Sequence, residues 1–145
     1  MSQKKNVDKI VEEPTVVYGT TSSSAVETVE RIREGLPMVE FVALQALLGL
    51  RAESLAQHLT ISRSTLVRRR KSGRLDMQES DRLLRYARLY ARATAVLQDD
   101  DAARDWLRQP ARALDFISPL TFAETEAGAR EVEALLGRIE HGVFS

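Results

Sequence analysis

The chain has 145 residues, no cysteine, and 21 Lys/Arg balanced by 21 Asp/Glu. That is the size of one domain, or of two small ones sharing a core. The composition excludes disulfides, thiolate zinc sites, iron–sulfur clusters and cysteine nucleophiles. Two histidines, His58 and His141, leave metal binding little to work with. The neutral average hides an uneven distribution. Residues 61–75 hold Arg63, Arg68, Arg69, Arg70, Lys71 and Arg74 and no acid. Such a window points to an anionic partner, nucleic acid first.

The N-terminus is polar and lacks the apolar core of a signal peptide. No run approaches the roughly 18 apolar residues of a membrane span. A cytoplasmic protein with no membrane partner is therefore expected. Residues 1–35 read as a variable, flexible arm with a polar tract at 20–24, in which Val16-Val17-Tyr18 can make a short extended contact.

Helical signals begin at Ala25. Val26, Val29 and Ile32 share a face, and Gly35 and Pro37 stop that helix. Phe41, Leu44, Leu47 and Leu48 give the face of the next, ended by Gly49. A short helix follows around 53–59. After a break at Thr60-Ile61, Ser62 caps a helix from Arg63 to Ser72 that ends at Gly73. Asp76 and Glu79 form a capping-box variant opening a long helix. Its apolar stripe reads Leu83, Leu84, Ala87, Tyr90, Ala91 and Thr94. Arg82, Arg85, Arg88 and Arg92 read as a solvated face, with an Asp81–Arg85 pair at i, i+4. Asp99-Asp100-Asp101 stands where a helix N-terminus favours acids. That helix buries Ala102, Ala103, Trp106 and Leu107 and stops at Pro110. Ser118-Pro119 reads as cap and first turn. Thr125 caps the last helix, whose apolar face is Val132, Leu135, Leu136 and Ile139. No segment alternates with period two, so the fold class is all-α.

Two short helices joined by a tight turn, the second one basic, form a helix-turn-helix. Leu55, Ala56, Leu59, Ile61 and Leu66 have the spacing of its small core. The expected DNA-binding residues are Arg63, Ser64, Thr65, Arg68, Arg69, Arg70, Lys71 and Arg74. The first of these reach base edges and the last three touch phosphates. The alternative is a solvated basic helix or one that meets an acidic protein. Thr60 takes the turn position commonly held by glycine, and Arg69 a late position that is often apolar. No phosphate-binding glycine motif or zinc-protease box is present, so no catalytic residue, metal ligand or cofactor is expected.

Several separated motifs resemble the Xre/MbcA/ParS-type antitoxins. They are residues 65–75, Glu79-Ser80-Asp81-Arg82-Leu83, Ala102-Ala103-Arg104-Asp105-Trp106-Leu107 with Pro110, Ser118-Pro119-Leu120, Thr125–Arg130, and Leu136–Ser145. Where that family has a glycine-containing turn, this chain has Leu114-Asp115-Phe116-Ile117. The resemblance implies an N-terminal Xre-like helix-turn-helix over 36–95 and a C-terminal helical toxin-binding region over 96–145. It implies an antitoxin, not an enzyme. Such a protein blocks a RES-domain, NAD-degrading toxin, binds its own operon's promoter, and forms a homodimer. The toxin-binding residues it suggests are Arg138, His141, Gly142, Val143, Phe144 and Ser145. Residues 96–145 carry ten acids and five arginines, which suits docking at the cationic mouth of a dinucleotide-binding enzyme. Val143-Phe144-Ser145, reaching about 10 Å when extended, would plug that cleft; otherwise Phe144 folds back on its own helix. A stand-alone helix-turn-helix regulator without a toxin is the alternative.

Overall fold

The computed structural model describes residues 12–19 and 24–142. Among them the regular elements are all helical. Helix α1 (Ala25–Glu34) opens on a capping box between Ser24 and Glu27. Helix α2 (Met38–Leu48) is followed by α3 (Ala52–His58) and α4 (Arg63–Ser72). Helix α5 (Met77–Leu97) opens on the Asp76–Glu79 capping box. Helix α6 (Asp100–Arg108) leads through a 3₁₀ turn (Arg112–Leu114) to α7 (Pro119–Phe122) and α8 (Glu126–Glu140). Ser62, Asp99, Ser118 and Thr125 cap their helices, each accepting a first-turn backbone N–H, from Thr65, Ala102, Thr121 and Gly128 respectively.

Helix α5 is the axis. It packs against α1, α2, α6 and α8. Its buried stripe is Leu83, Tyr86, Ala87, Leu89, Tyr90 and Ala93, whereas Ala91 is exposed. The expected stripe was rotated because α5 is covered on several sides, which widens the buried arc beyond one amphipathic face. One hydrophobic core runs from Phe41 and Leu44 through Leu83 and Tyr86 to Leu120, Val132 and Leu136. The boundary expected at residue 95 therefore falls inside a continuous helix. On α6, Ala103 and Leu107 are buried, while Ala102 and Trp106 are half-buried.

The arginine face of α5 is largely engaged, not solvated. Arg82 donates to the Leu59 carbonyl at 3.2 Å. Arg92 pairs with Glu140 through both terminal nitrogens. Arg85 pairs with Glu126 at 3.3 Å and donates to the Glu124 carbonyl at 3.1 Å, so its partner lies across the fold and is not Asp81. Arg88 alone of the four is exposed.

Of the expected arm, residues 12–19 and 24–35 are described and join the fold, whereas 1–11 and 20–23 lie outside the described residues. Residues 36–38 and 73–75 clasp backbone to backbone: Met38 N–H donates to Gly73 O and Leu75 N–H to Leu36 O, both at 2.9 Å. Gly35 makes this approach possible, because a Cβ there would fall 2.1 Å from the Leu75 carbonyl oxygen. Glu40 is fully buried and accepts the N–H groups of Thr15, Val16 and Val17 at 2.6, 2.8 and 2.9 Å. The extended contact expected of Val16-Val17 is thus a strap held by one carboxylate, with Val17 buried. The apolar face expected of α1 is covered only in part, at Ile32. None of its residues is buried, and Val26 and Val29 are exposed.

Candidate nucleic-acid interface and partner-binding half

Helices α3 and α4 form the compact pair anticipated from their spacing. Leu55, Ala56, Leu59, Ile61 and Leu66 are all buried. The turn closes when Ile61 N–H donates to the Ala56 carbonyl at 2.8 Å. Thr60 sits there with φ +59°, a left-handed conformation that is costly for a β-branched residue.

Ser62 ends the turn and starts α4. Its hydroxyl accepts the Thr65 N–H at 3.2 Å and donates to Thr65 Oγ1 at 2.9 Å. Arg68 in turn donates to Thr65 Oγ1 at 3.1 Å. The first turn of α4 holds no acid, so its N-terminal dipole is open to an anion. Only Leu66 of α4 is buried. Arg63, Ser64, Val67, Arg68, Arg70 and Lys71 are exposed, and Thr65 is half-buried.

Arg69 and Arg74, also expected to bind DNA, are engaged in ion pairs with other segments, Arg69 half-buried and Arg74 exposed. Arg69 Nε lies 2.7 Å from Glu79 Oε1, and its Nη2 lies 3.2 Å from both Glu79 Oε2 and Asp76 Oδ2. Glu79 is buried. The hydrogen bond to Glu79 holds the Arg69 guanidinium above its ordinary pKa, against the opposing cost of burial. Arg69 therefore ties α4 to the capping box of α5. Arg74 donates to the Gly35 carbonyl at 2.8 Å and pairs with Glu12 at 2.8 Å. Neither role is readable from the basic run, since each partner lies on another element.

Arg51 joins the basic surface unannounced. It lines a pocket of about 440 Å³ with Glu53, Ser54, Arg63, Leu66, Val67 and Arg70. The signal was its place just before α3, across the turn from α4.

The second half begins where α5 meets α7 and α8. Tyr86 is buried, its hydroxyl donates to the Leu120 carbonyl at 2.9 Å, and burial pushes its pKa well above the ordinary phenol range. The His58 and Tyr86 ring centroids are 5.8 Å apart. His58, expected on a helix surface, is half-buried. In the loop 111–117, Phe116 N–H and Ala111 N–H close a bridge with Ala111 and Ile117. Asp115 and Phe116 take φ +56° and +63° in succession, and Phe116 is 67% exposed. This is the segment in which the sequence lacks glycine.

Of the residues suggested for toxin binding, Arg138 is half-buried and pairs with Glu131 at 3.4 Å. His141 and Gly142 are exposed at the end of α8. Val143, Phe144 and Ser145 lie outside the described residues. Among the described residues no group of three His, Cys, Asp or Glu could hold a metal ion, and no helix is long and apolar enough to cross a membrane.

Comparison with known proteins finds two family models, whose ranges meet within α5. Residues 27–88 match the family model described as the antitoxin Xre-like helix-turn-helix domain. Residues 92–142 match the one described as the antitoxin Xre/MbcA/ParS C-terminal toxin-binding domain. The chain is 42% identical over 85 residues to an "Antitoxin Xre" of Yersinia enterocolitica, covering 58% of this chain and 57% of the relative. It is 38% identical over 74 residues to one of Photorhabdus laumondii, 50% of each chain. A Pseudomonas putida "Antitoxin Xre" is 35% identical over 68 residues, 47% of this chain and 43% of that one. The alignments thus span about half the length of the curated relatives.

Proposed function

From the premise that the chain belongs to the Xre-type antitoxin family, we propose that it neutralises a cognate RES-type, NAD-degrading toxin and represses its own operon. Residues 92–142, with the tail 143–145, carry the toxin contact. The α3–α4 pair carries the DNA contact. The protein works as a homodimer in the cytoplasm and has no reaction of its own.

The observation that supports the DNA half is the exposed, acid-free start of α4. Arg63, Ser64 and Arg68 face the base edges. Arg70, Lys71 and Arg51 hold phosphates, which position without specifying. Arg69 and Arg74 act indirectly, by fixing how α4 sits on the rest of the fold.

For the toxin half, α8 delivers Arg138, His141 and Gly142 to the edge of the molecule. The net acidity of residues 96–145 complements the cationic mouth that a dinucleotide-degrading enzyme requires. In this reading Phe144 is the apolar anchor.

The test is NAD consumption by the toxin candidate encoded beside this gene, with and without this protein. Inhibition at stoichiometric amounts is expected. Deleting residues 143–145 should weaken it, and unchanged inhibition by the truncated protein rejects the plug. No inhibition by the full chain favours a stand-alone regulator.

A further inference from the structure

We infer that Glu12 is an intramolecular stand-in for a DNA phosphate: by holding Arg74 it weakens the grip of the helix-turn-helix on nucleic acid. The inference rests on the DNA-binding reading above and adds a restraint built into the same chain.

Arg74 is set on a rigid frame. Its neighbours Gly73 and Leu75 are bonded backbone to backbone to Met38 and Leu36, both at 2.9 Å. Its guanidinium then divides its donors. Nη1 donates to the Gly35 carbonyl at 2.8 Å, and Nη2 donates to Glu12 Oε1 at 2.8 Å. The first bond aims the group, and the second fills its other side with a carboxylate oxygen. The Arg74 side chain is still 48% exposed. It stands three positions after Lys71, just past the end of α4. A pre-aimed, exposed guanidinium there is suited to a phosphate oxygen. Carboxylate and phosphate oxygens compete for the same donors.

The strap is what delivers Glu12. An ion pair between two freely moving exposed side chains is worth little. Here one partner comes from ordered backbone. Glu40, fully buried, accepts the N–H groups of Thr15, Val16 and Val17. Val17 is buried, and Arg31 donates to the Thr15 hydroxyl at 2.8 Å. Glu12 lies three residues before Thr15, so its reach from the anchor is only about 10 Å. Its carboxylate therefore meets Arg74 at a high effective concentration. Undocking the strap would take three donors from a buried carboxylate and leave it Arg31 at 3.8 Å, which keeps the strap in place.

The local charge acts in the same direction. Glu12, Glu13, Glu34, Arg31 and Arg74 share the walls of a recess of about 330 Å³. That is three acids against two cations, and Arg31 is already turned to Thr15 and Glu40. A phosphate approaching Arg74 meets net negative charge while Glu12 is docked, and an even balance once Glu12 is neutral. With Glu12 in place Arg74 only braces the fold. Without it, Arg74 adds one phosphate contact to those of α4.

The experiment titrates the full chain against a fluorescent DNA duplex of arbitrary sequence, by anisotropy, over a range of KCl concentrations. Glu12→Gln should tighten binding by about twofold to fivefold, the worth of one exposed ion pair. It should also steepen the log–log salt slope by about 0.9 per bound chain. Glu13→Gln removes the same charge one residue along and should leave the slope unchanged. In an Arg74→Gln background, Glu12→Gln should no longer steepen it. Far-UV circular dichroism checks that each variant keeps its helices; if Arg74→Gln does not, the Glu12 and Glu13 variants decide between them. Equal effects of Glu12→Gln and Glu13→Gln, no effect of Glu12→Gln, or a gain that persists without Arg74 each overturn the inference and leave the DNA reading standing. A wild type and variants that bind no duplex at low salt overturn both.

Discussion

His58 Nδ1 lies 2.9 Å from a carboxylate oxygen of Glu124, joining the first helix of the helix-turn-helix to the loop between α7 and α8. Arg82 and Arg85 make parallel ties, one to Leu59 and the other to Glu124 and Glu126. With α5 running through both halves, the regions that match the helix-turn-helix model and the toxin-binding-domain model share one core. Two-state unfolding is the expected consequence. Trp106, the single tryptophan, reports on the second half, and far-UV ellipticity on all the helices. Their urea midpoints should coincide, and separated midpoints would show the halves to be independent.

Tyr86→Phe should destabilise the chain by about 1–2 kcal/mol, because the buried Leu120 carbonyl loses its donor. Urea unfolding measures this, and a change below a few tenths of a kcal/mol would mean that the bond is replaced.

Thr60→Gly should stabilise by about 1 kcal/mol. The left-handed φ of +59° costs a β-branched residue roughly 1–2 kcal/mol, and part of the gain is offset by the greater freedom of glycine when unfolded. An unchanged or lowered urea midpoint rejects this account of the turn.

Arg68 and Arg69 should behave oppositely. Arg63, Arg68, Arg70 and Lys71 are the exposed cations of α4, so a dimer neutralising about eight phosphates should show a log–log salt slope near −7. Arg68→Ala should weaken binding to operator DNA more than to random DNA, as a base reader does, with little effect on stability. An equal loss on both, with the slope lowered by about 2 in magnitude, would make Arg68 a phosphate contact instead. Arg69→Ala should leave the slope unchanged while destabilising by about 1–3 kcal/mol, since Glu79 stays buried without its partner.

Glu40→Ala should free the strap. Thr15, Val16 and Val17 lose their shared acceptor, and their amide hydrogen exchange should rise by at least tenfold. Persistent protection would show that Val17 packing alone holds the segment.

The α3–α4 core, the caps and most helix ends were legible in the residues because each depends on neighbours within a few positions. A 3.6-residue period, a Ser or Asp before a first turn, and a glycine after a last one are local facts. The burial of Leu55, Ala56, Leu59, Ile61 and Leu66 follows from them. The family was legible too, because its motifs recur in order along the chain. The site itself was only half legible. Composition marks six cations in the basic window without saying which are spent inside the fold.

The sequence alone therefore determined the helices, their limits and the family. Tertiary structure decided which charges remain available and which faces stay uncovered. Arg69 and Arg74 are paired because Glu79 and Glu12 arrive from other segments, Arg69 half-buried and Arg74 still exposed. Glu40 becomes a buried clamp because a segment 23 to 25 residues earlier folds onto it. Val26 and Val29 stay largely exposed, although α1 packs against α5. The physical reason is one of range: helix formation and capping are settled within a turn or two, whereas the partner of a charge or an apolar face is settled by which distant segments the packing brings together.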